Sequence, residues 1–126
     1  MHRACTEFFG IEYNPKGWDC VDLTLAVQRK LFGRGFSVPE DRTQARRQQL
    51  NLFRQNLVHT SNPTTGDVAL MRDTGRSRAD HIGTVFIIGG ELCILHTTER
   101  TDTLFTRARL LSDLGITLED YYTWRS

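Results

Sequence analysis

The sequence predicts an α+β fold in which one N-terminal helix packs on an antiparallel β-sheet. Leu23, Val27 and Leu31 recur at helical spacing early in the chain, and two runs rich in β-forming residues follow later, separated by Gly89-Gly90. A helix followed by strands that are joined through short turns is typical of α+β proteins. The length of 126 residues suits one domain, which we take as residues 1–126.

The helix is expected to begin after Asp19 and to run to about Phe32. Aspartate is a favoured N-cap, and Asp22 stands three residues later, where the reciprocal partner of a capping box belongs. Gly33 follows as a stop signal. Cys20 would then be the first residue of the helix.

The segments on either side of the two β-rich runs are predicted from composition. Pro39 to about Val58 is rich in Arg and Gln and is interpreted as one surface helix or a broken pair. A strand is expected from Asp67 to Met71, and a short helical stretch around Leu104 to Leu114. The chain ends in an aromatic segment with Tyr121, Tyr122 and Trp124.

Gly89-Gly90 indicates a two-residue hairpin turn and so defines the pairing of the runs His81 to Ile88 and Glu91 to Thr97. Counting outward from the turn places Gly83 opposite His96, with His81 as the diagonal neighbour of His96 on the same face. We expect the helix with Cys20 to pack on this face, which would bring the thiol to both imidazoles. The apolar residues that share the face are Val85, Ile87, Leu92 and Ile94.

Cys20, His81 and His96 together have the chemistry of a cysteine nucleophile, its base and an orienting group. The dipole at a helix N-terminus lowers the pKa of a thiol, and an imidazole can take its proton and return it to a leaving amine. A third group holds the ring and tautomer of the base, a part for which His96 is suited. Taken singly, each residue is more often a packing residue, and their combination on one face favours catalysis. A zinc site from the same residues is the weaker alternative, because no close ligand pair is present.

Composition excludes several other functions. A formal net charge of +1 gives no reason to expect nucleic acid as a partner. No segment approaches the ~20 apolar residues of a membrane span, and Met1 to Gly10 lacks the apolar core of a signal peptide. No phosphate-binding Gly-rich loop appears, so no cofactor is expected. The three cysteines include no C-x-x-C pair, which indicates free thiols made in a reducing cytoplasm.

Four short motifs occur in the order found in the NlpC family of papain-like cysteine peptidases, which cleave stem peptides of the bacterial cell wall. They are Asp19-Cys20 before an aliphatic helix, Gly66-Asp67-Val68, His81-Ile82-Gly83 and Ile94-Leu95-His96. The resemblance spans roughly Tyr13 to His96. It implies a papain-like single domain, Cys20 as nucleophile, His81 as base, His96 as third member, and the backbone N–H of Cys20 as an oxyanion donor.

The residues after the cysteine differ from the commoner family pattern. Val21-Asp22-Leu23 stands where many members have Ser-Gly, and this variant is similar to small NlpC-type proteins encoded in bacteriophage tail-gene clusters. The resemblance thus implies a virion component at the tail tip, with other tail proteins as partners. The implied substrate is peptidoglycan, cut between γ-D-glutamyl and a diamino acid, and candidate substrate contacts are Tyr13, Trp18 and Asp19.

Two other functions stay open. The chain could be a tail-hub assembly protein with little or no activity, which docks through its aromatic C-terminal segment. It could also be an amidase or acyltransferase that uses the same three residues on another substrate.

Overall fold

The computed structural model describes residues 7–12, 19–34, 51, 53, 55–73, 75, 81–99 and 101–125. Within these residues, an N-terminal α-helix and further helical residues at 51, 53, 55 and 56 accompany six strands. The strands form a single sheet, in which every pair of neighbouring strands is antiparallel. The predicted α+β class with an antiparallel sheet is confirmed. In the described part of the chain, no helix has the length and apolar character that crossing a membrane requires.

The elements follow one another in a simple order. Helix α1 (Cys20–Phe32) comes first, and a 3₁₀ helix (Ala108–Leu114) lies between the last two strands. The strands lie side by side in the order β1-β6-β2-β3-β4-β5. Their bounds are β1 (Leu57–His59), β2 (Val68–Asp73), β3 (His81–Ile88), β4 (Glu91–Thr98), β5 (Asp102–Arg107) and β6 (Ile116–Trp124).

Helix α1 begins and ends where the sequence predicts. Asp19 is the N-cap and forms a reciprocal capping box with Asp22. Gly33 ends the helix in the left-handed conformation, with φ of 64°. Its N–H donates to the carbonyl oxygen of Arg29 at 3.2 Å, and the N–H of Arg34 donates to the carbonyl oxygen of Gln28 at 3.0 Å.

The β3–β4 hairpin also has the predicted register. Gly89 and Gly90 have φ of 59° and 78°, and positive φ at both central residues defines a type I′ turn. Ile88 lies opposite Glu91, and the pairing continues without a bulge to Thr84 opposite Leu95.

The face of the hairpin that receives α1 is the opposite of the predicted one. Leu23 and Val27 of α1 pack in one cluster with Phe86 and Leu95. Val85 and Ile94 instead pack on the other side, with residues of the 3₁₀ helix and β6, namely Leu111 and Ile116. Both faces of this hairpin are therefore buried and apolar, so the alternation of side chains could not show which face takes the helix.

In two places, a segment that was predicted to be helical forms a strand in the structure. Leu57–His59 forms β1 at the end of the predicted Arg-rich helix. Residues 51, 53, 55 and 56 of that segment are helical as predicted, and its residues 39–50, 52 and 54 lie outside the described part. Asp102–Arg107 forms β5, and helical structure begins at Ala108, as a 3₁₀ helix. In both cases pairing with a neighbouring strand overrides the local helical pattern.

The aromatic C-terminal segment belongs to β6, which lies between β1 and β2. Tyr122 and Trp124 are partly buried against the cluster that holds Cys20, Leu57 and Val68. The segment therefore serves as a strand of the sheet, and its side chains extend the core.

Replacing Gly83 with alanine should destabilise the protein. A Cβ at this position would lie 2.6 Å from Cγ2 of Ile94 and 2.8 Å from the carbonyl oxygen of Leu95. We expect the free energy of unfolding, measured by chemical denaturation, to fall by about 1–3 kcal/mol. Gly89→Asn is the matched control, because no atom lies within 4 Å of its Cβ position and asparagine tolerates its φ of 59°. Equal losses in the two variants would contradict a steric requirement at Gly83.

Candidate active site

Cys20 is the first residue of α1, and the helix start around it is fully capped. Oδ1 of Asp19 accepts the N–H groups of Val21 at 3.0 Å and Asp22 at 2.9 Å, and Oδ2 of Asp22 accepts the N–H of Asp19 at 3.0 Å. None of these bonds uses the N–H of Cys20, the predicted oxyanion donor. The positive end of the helix dipole lies at the thiol-bearing residue and favours a thiolate, whereas the complete burial of the side chain opposes one.

Of the three candidate substrate contacts, the structure describes Asp19. Asp19 is 5% exposed and its carboxylate caps the helix, so its observed role is structural and its part in substrate binding stays a prediction. The N–H groups that it accepts also offset its charge, which would otherwise oppose a thiolate at Cys20. Tyr13 and Trp18 lie outside the described residues.

His81 and His96 meet in a direct hydrogen bond. Nε2 of His81 lies 2.9 Å from Nδ1 of His96, and the two ring centroids are 5.1 Å apart at an interplanar angle of 67°. Both side chains are buried. Because this bond occupies Nε2 of His81, Nδ1 is the nitrogen with which His81 would take a proton from a thiol.

A threonine completes the surroundings of His96. Nε2 of His96 lies 2.8 Å from Oγ1 of Thr106, a residue of β5. Ile94 pairs with Thr106 and His96 pairs with Leu104, so Thr106 is the diagonal neighbour of His96 on the same face. Both ring nitrogens of His96 therefore have a hydrogen-bond partner.

Burial lowers the pKa of His96 from 6.5 to about 4. The ring is therefore neutral near pH 7 and carries a single proton, on one of its two nitrogens. A neutral His96 can accept a hydrogen bond from His81 at Nδ1 only when its own proton is on Nε2.

The thiol and the histidine pair approach from different sides of the sheet. Cys20 belongs to a buried cluster with Ile82 and Leu70, on the face that α1 covers. His81 precedes Ile82, and alternation directs its side chain to the opposite face, in agreement with its bond to His96. A proton transfer from the thiol to His81 would therefore have to take place at the start of β3 and not across the face of the sheet.

A buried glutamine ties α1 to this part of the sheet. Nε2 of Gln28 donates to the carbonyl oxygen of Gly66 at 3.1 Å and to Oγ1 of Thr84 at 3.2 Å. Its Oε1 accepts the indole N–H of Trp124 at 2.9 Å. These three bonds satisfy the whole amide group except for one lone pair, and they hold the helix, and with it Cys20, at one position on the sheet.

Sequence reasoning missed Thr106 and Gln28. Thr106 was hidden because its segment was predicted to be helical, whereas a strand beginning at Asp102 would have placed it beside His96. Gln28 lies on the apolar side of α1 and is fully buried, and a lone polar residue in such a stripe is the signal that could have identified it.

Comparison with known proteins does not assign the chain to a family. The chain matches no protein-family model, and it matches no curated protein.

Within the part of the chain that the structure describes, no three His, Cys, Asp or Glu side chains are grouped so that they could hold a metal ion. The zinc alternative for Cys20, His81 and His96 is therefore unsupported.

The low pKa of His96 should make stability depend on pH. Below its ordinary value of 6.5, the unfolded chain binds a proton that the folded protein accepts only near pH 4, so stability should fall as the pH decreases across this range. The stabilisation is fully present above pH 6.5 and amounts to about 3 kcal/mol. Urea unfolding at about pH 7 and about pH 4.5 measures how much the free energy of unfolding changes with pH in the wild type and in His96→Asn. Parallel pH dependence in the two proteins would show that His96 does not titrate in this way.

Proposed function

We propose that the protein is a cysteine peptidase or amidase that hydrolyses stem peptides of peptidoglycan. The observation that carries this proposal is the hydrogen bond of 2.9 Å between His81 and His96. A buried histidine whose second nitrogen is held by another polar group is the arrangement that a general base beside a thiol requires. The capped helix start at Cys20 and the resemblance to the NlpC family support the same function.

In the proposed reaction, Cys20 is the nucleophile and His81 transfers the protons. Nδ1 of His81 takes the proton of the Cys20 thiol, and the thiolate attacks the carbonyl carbon of the peptide bond. The N–H of Cys20 stabilises the resulting oxyanion. The imidazolium of His81 then protonates the leaving amine, which leaves an acyl-thioester on Cys20. A water molecule, deprotonated by His81, releases the acid and restores the thiol.

The substrate and the site of action rest on the resemblance alone. It favours the bond between γ-D-glutamyl and a diamino acid as the one that is cut, and a bacteriophage tail tip as the place where the protein works. Other tail proteins would then be its partners.

The runner-up function is a tail-hub assembly protein that retains the fold with little or no activity. The burial of Cys20 favours this alternative. The side chain is 0% exposed and belongs to an apolar cluster, so a substrate reaches the thiol only if the neighbouring structure opens. An amidase or acyltransferase that uses the same residues on another substrate is the third possibility, and product analysis separates it from the first.

Digestion of purified peptidoglycan tests the proposal. The wild type should release new amino groups, and mass spectrometry of the products should identify the γ-D-glutamyl bond that was cut. Cys20→Ala should reduce the rate by at least about a thousandfold, because no other residue replaces the nucleophile.

Cys93→Ala is the matched control for this experiment. Cys93 is a second buried cysteine, and burial together with the carboxylate of Glu91 raises the pKa of its thiol, which makes it a poor nucleophile. Its replacement should leave digestion unchanged. A folded wild-type protein that releases no product, or a Cys20→Ala variant that remains active, would overturn the proposed function.

A further inference from the structure

We propose that Thr106 is a positioning residue that fixes the tautomer of His96 and, through it, the protonation of His81. The inference rests on the proposed function for its catalytic meaning. Its structural basis is a row of three buried side chains from three adjacent strands. Their atoms are 2.9 Å apart between His81 and His96 and 2.8 Å apart between His96 and Thr106.

Two arrangements of protons are compatible with this row. In the first, His81 donates from Nε2 to Nδ1 of His96, and His96 donates from Nε2 to the hydroxyl oxygen of Thr106. In the second, the hydroxyl of Thr106 donates to His96, which donates from Nδ1 to Nε2 of His81. A neutral His81 then carries its proton on Nδ1, the nitrogen needed to receive the proton of the thiol.

The proposed reaction requires the first arrangement. When His81 becomes an imidazolium, both of its nitrogens are donors, so Nδ1 of His96 must be an acceptor. The single proton of His96 must then lie on Nε2, where the hydroxyl oxygen of Thr106 accepts it. Without the hydroxyl, this tautomer would bury an N–H at Nε2 with no partner, which costs more than the unpartnered lone pair that the other tautomer would leave there.

The position of Thr106 depends on the pairing of β4 with β5. Thr106 is buried and stands opposite Ile94, and a shift by one residue would turn its side chain to the face that α1 covers. The neighbour of His96 in β4, Thr97, points to that other face. Its hydroxyl is buried and has no hydrogen-bond partner among the described residues. Removing this hydroxyl therefore serves as a control, because it breaks no hydrogen bond with a described residue.

The test compares Thr106→Val, Thr106→Ser and Thr97→Val in the full-length protein. Valine keeps the shape of threonine and removes the hydroxyl, whereas serine keeps the hydroxyl. The first readout is the nitrogen NMR spectrum of the His96 ring, which distinguishes the two tautomers. We expect Nε2 to carry the proton in the wild type, in Thr106→Ser and in Thr97→Val, and Nδ1 to carry it in Thr106→Val.

The second readout is peptidoglycan digestion, analysed as kcat and KM separately. Thr106→Val should lower kcat about tenfold or more with KM unchanged, and Thr106→Ser should restore it. A Thr106→Val protein that retains the wild-type tautomer overturns the inference, whatever its activity. An inactive wild type overturns the proposed function instead, and the NMR spectrum still decides whether Thr106 fixes the tautomer.

Discussion

Strands β3 and β4 run so close together at Gly83 that a Cβ there would lie 2.8 Å from the carbonyl oxygen of Leu95 and 3.1 Å from Cβ of His96. A register shift of one residue would bring a side chain into this space and would turn the two histidines to opposite faces of the hairpin. The type I′ turn at Gly89 and Gly90 specifies the same register from the opposite end of the hairpin. The bond between His81 and His96 therefore depends on the backbone as much as on the two rings.

Pairing beyond the hairpin extends this arrangement into a row of polar groups. β4 carries His96 and pairs with β5, which supplies Thr106. Each of these hydrogen bonds contributes only about 1 kcal/mol net, but a buried group left without its partner costs about 1–3 kcal/mol. The row is consequently stable when all members are present, and the loss of one disturbs the others. The residues outside the row, Val85 and Ile94, pack with Leu111 and keep water away from this face.

The sequence was sufficient to predict the parts of the structure that depend on local signals. The cap at Asp19, the stop at Gly33 and the Gly89-Gly90 turn each use a residue whose chemistry specifies one backbone geometry. From the turn alone, the meeting of His81 and His96 could be derived by counting.

The rest depends on contacts between segments that are distant in the sequence. The helix was predicted on the face of Val85 and Ile94 because that face is apolar, but the face of Phe86 and Leu95 is apolar too, and the helix packs there. Thr106 was missed because pairing with β4, and not local propensity, makes its segment a strand.

The pH titration of the Cys20 thiolate tests the central claim, that His81 activates this thiol, most directly. Ultraviolet absorbance of the thiolate follows it, with Cys20→Ser as the blank. A thiolate–imidazolium pair predicts a pKa well below the ordinary value of about 8.5 that rises above this value in His81→Asn. A wild-type thiol that titrates at or above about 8.5, or a low value that is unchanged in His81→Asn, would contradict the account.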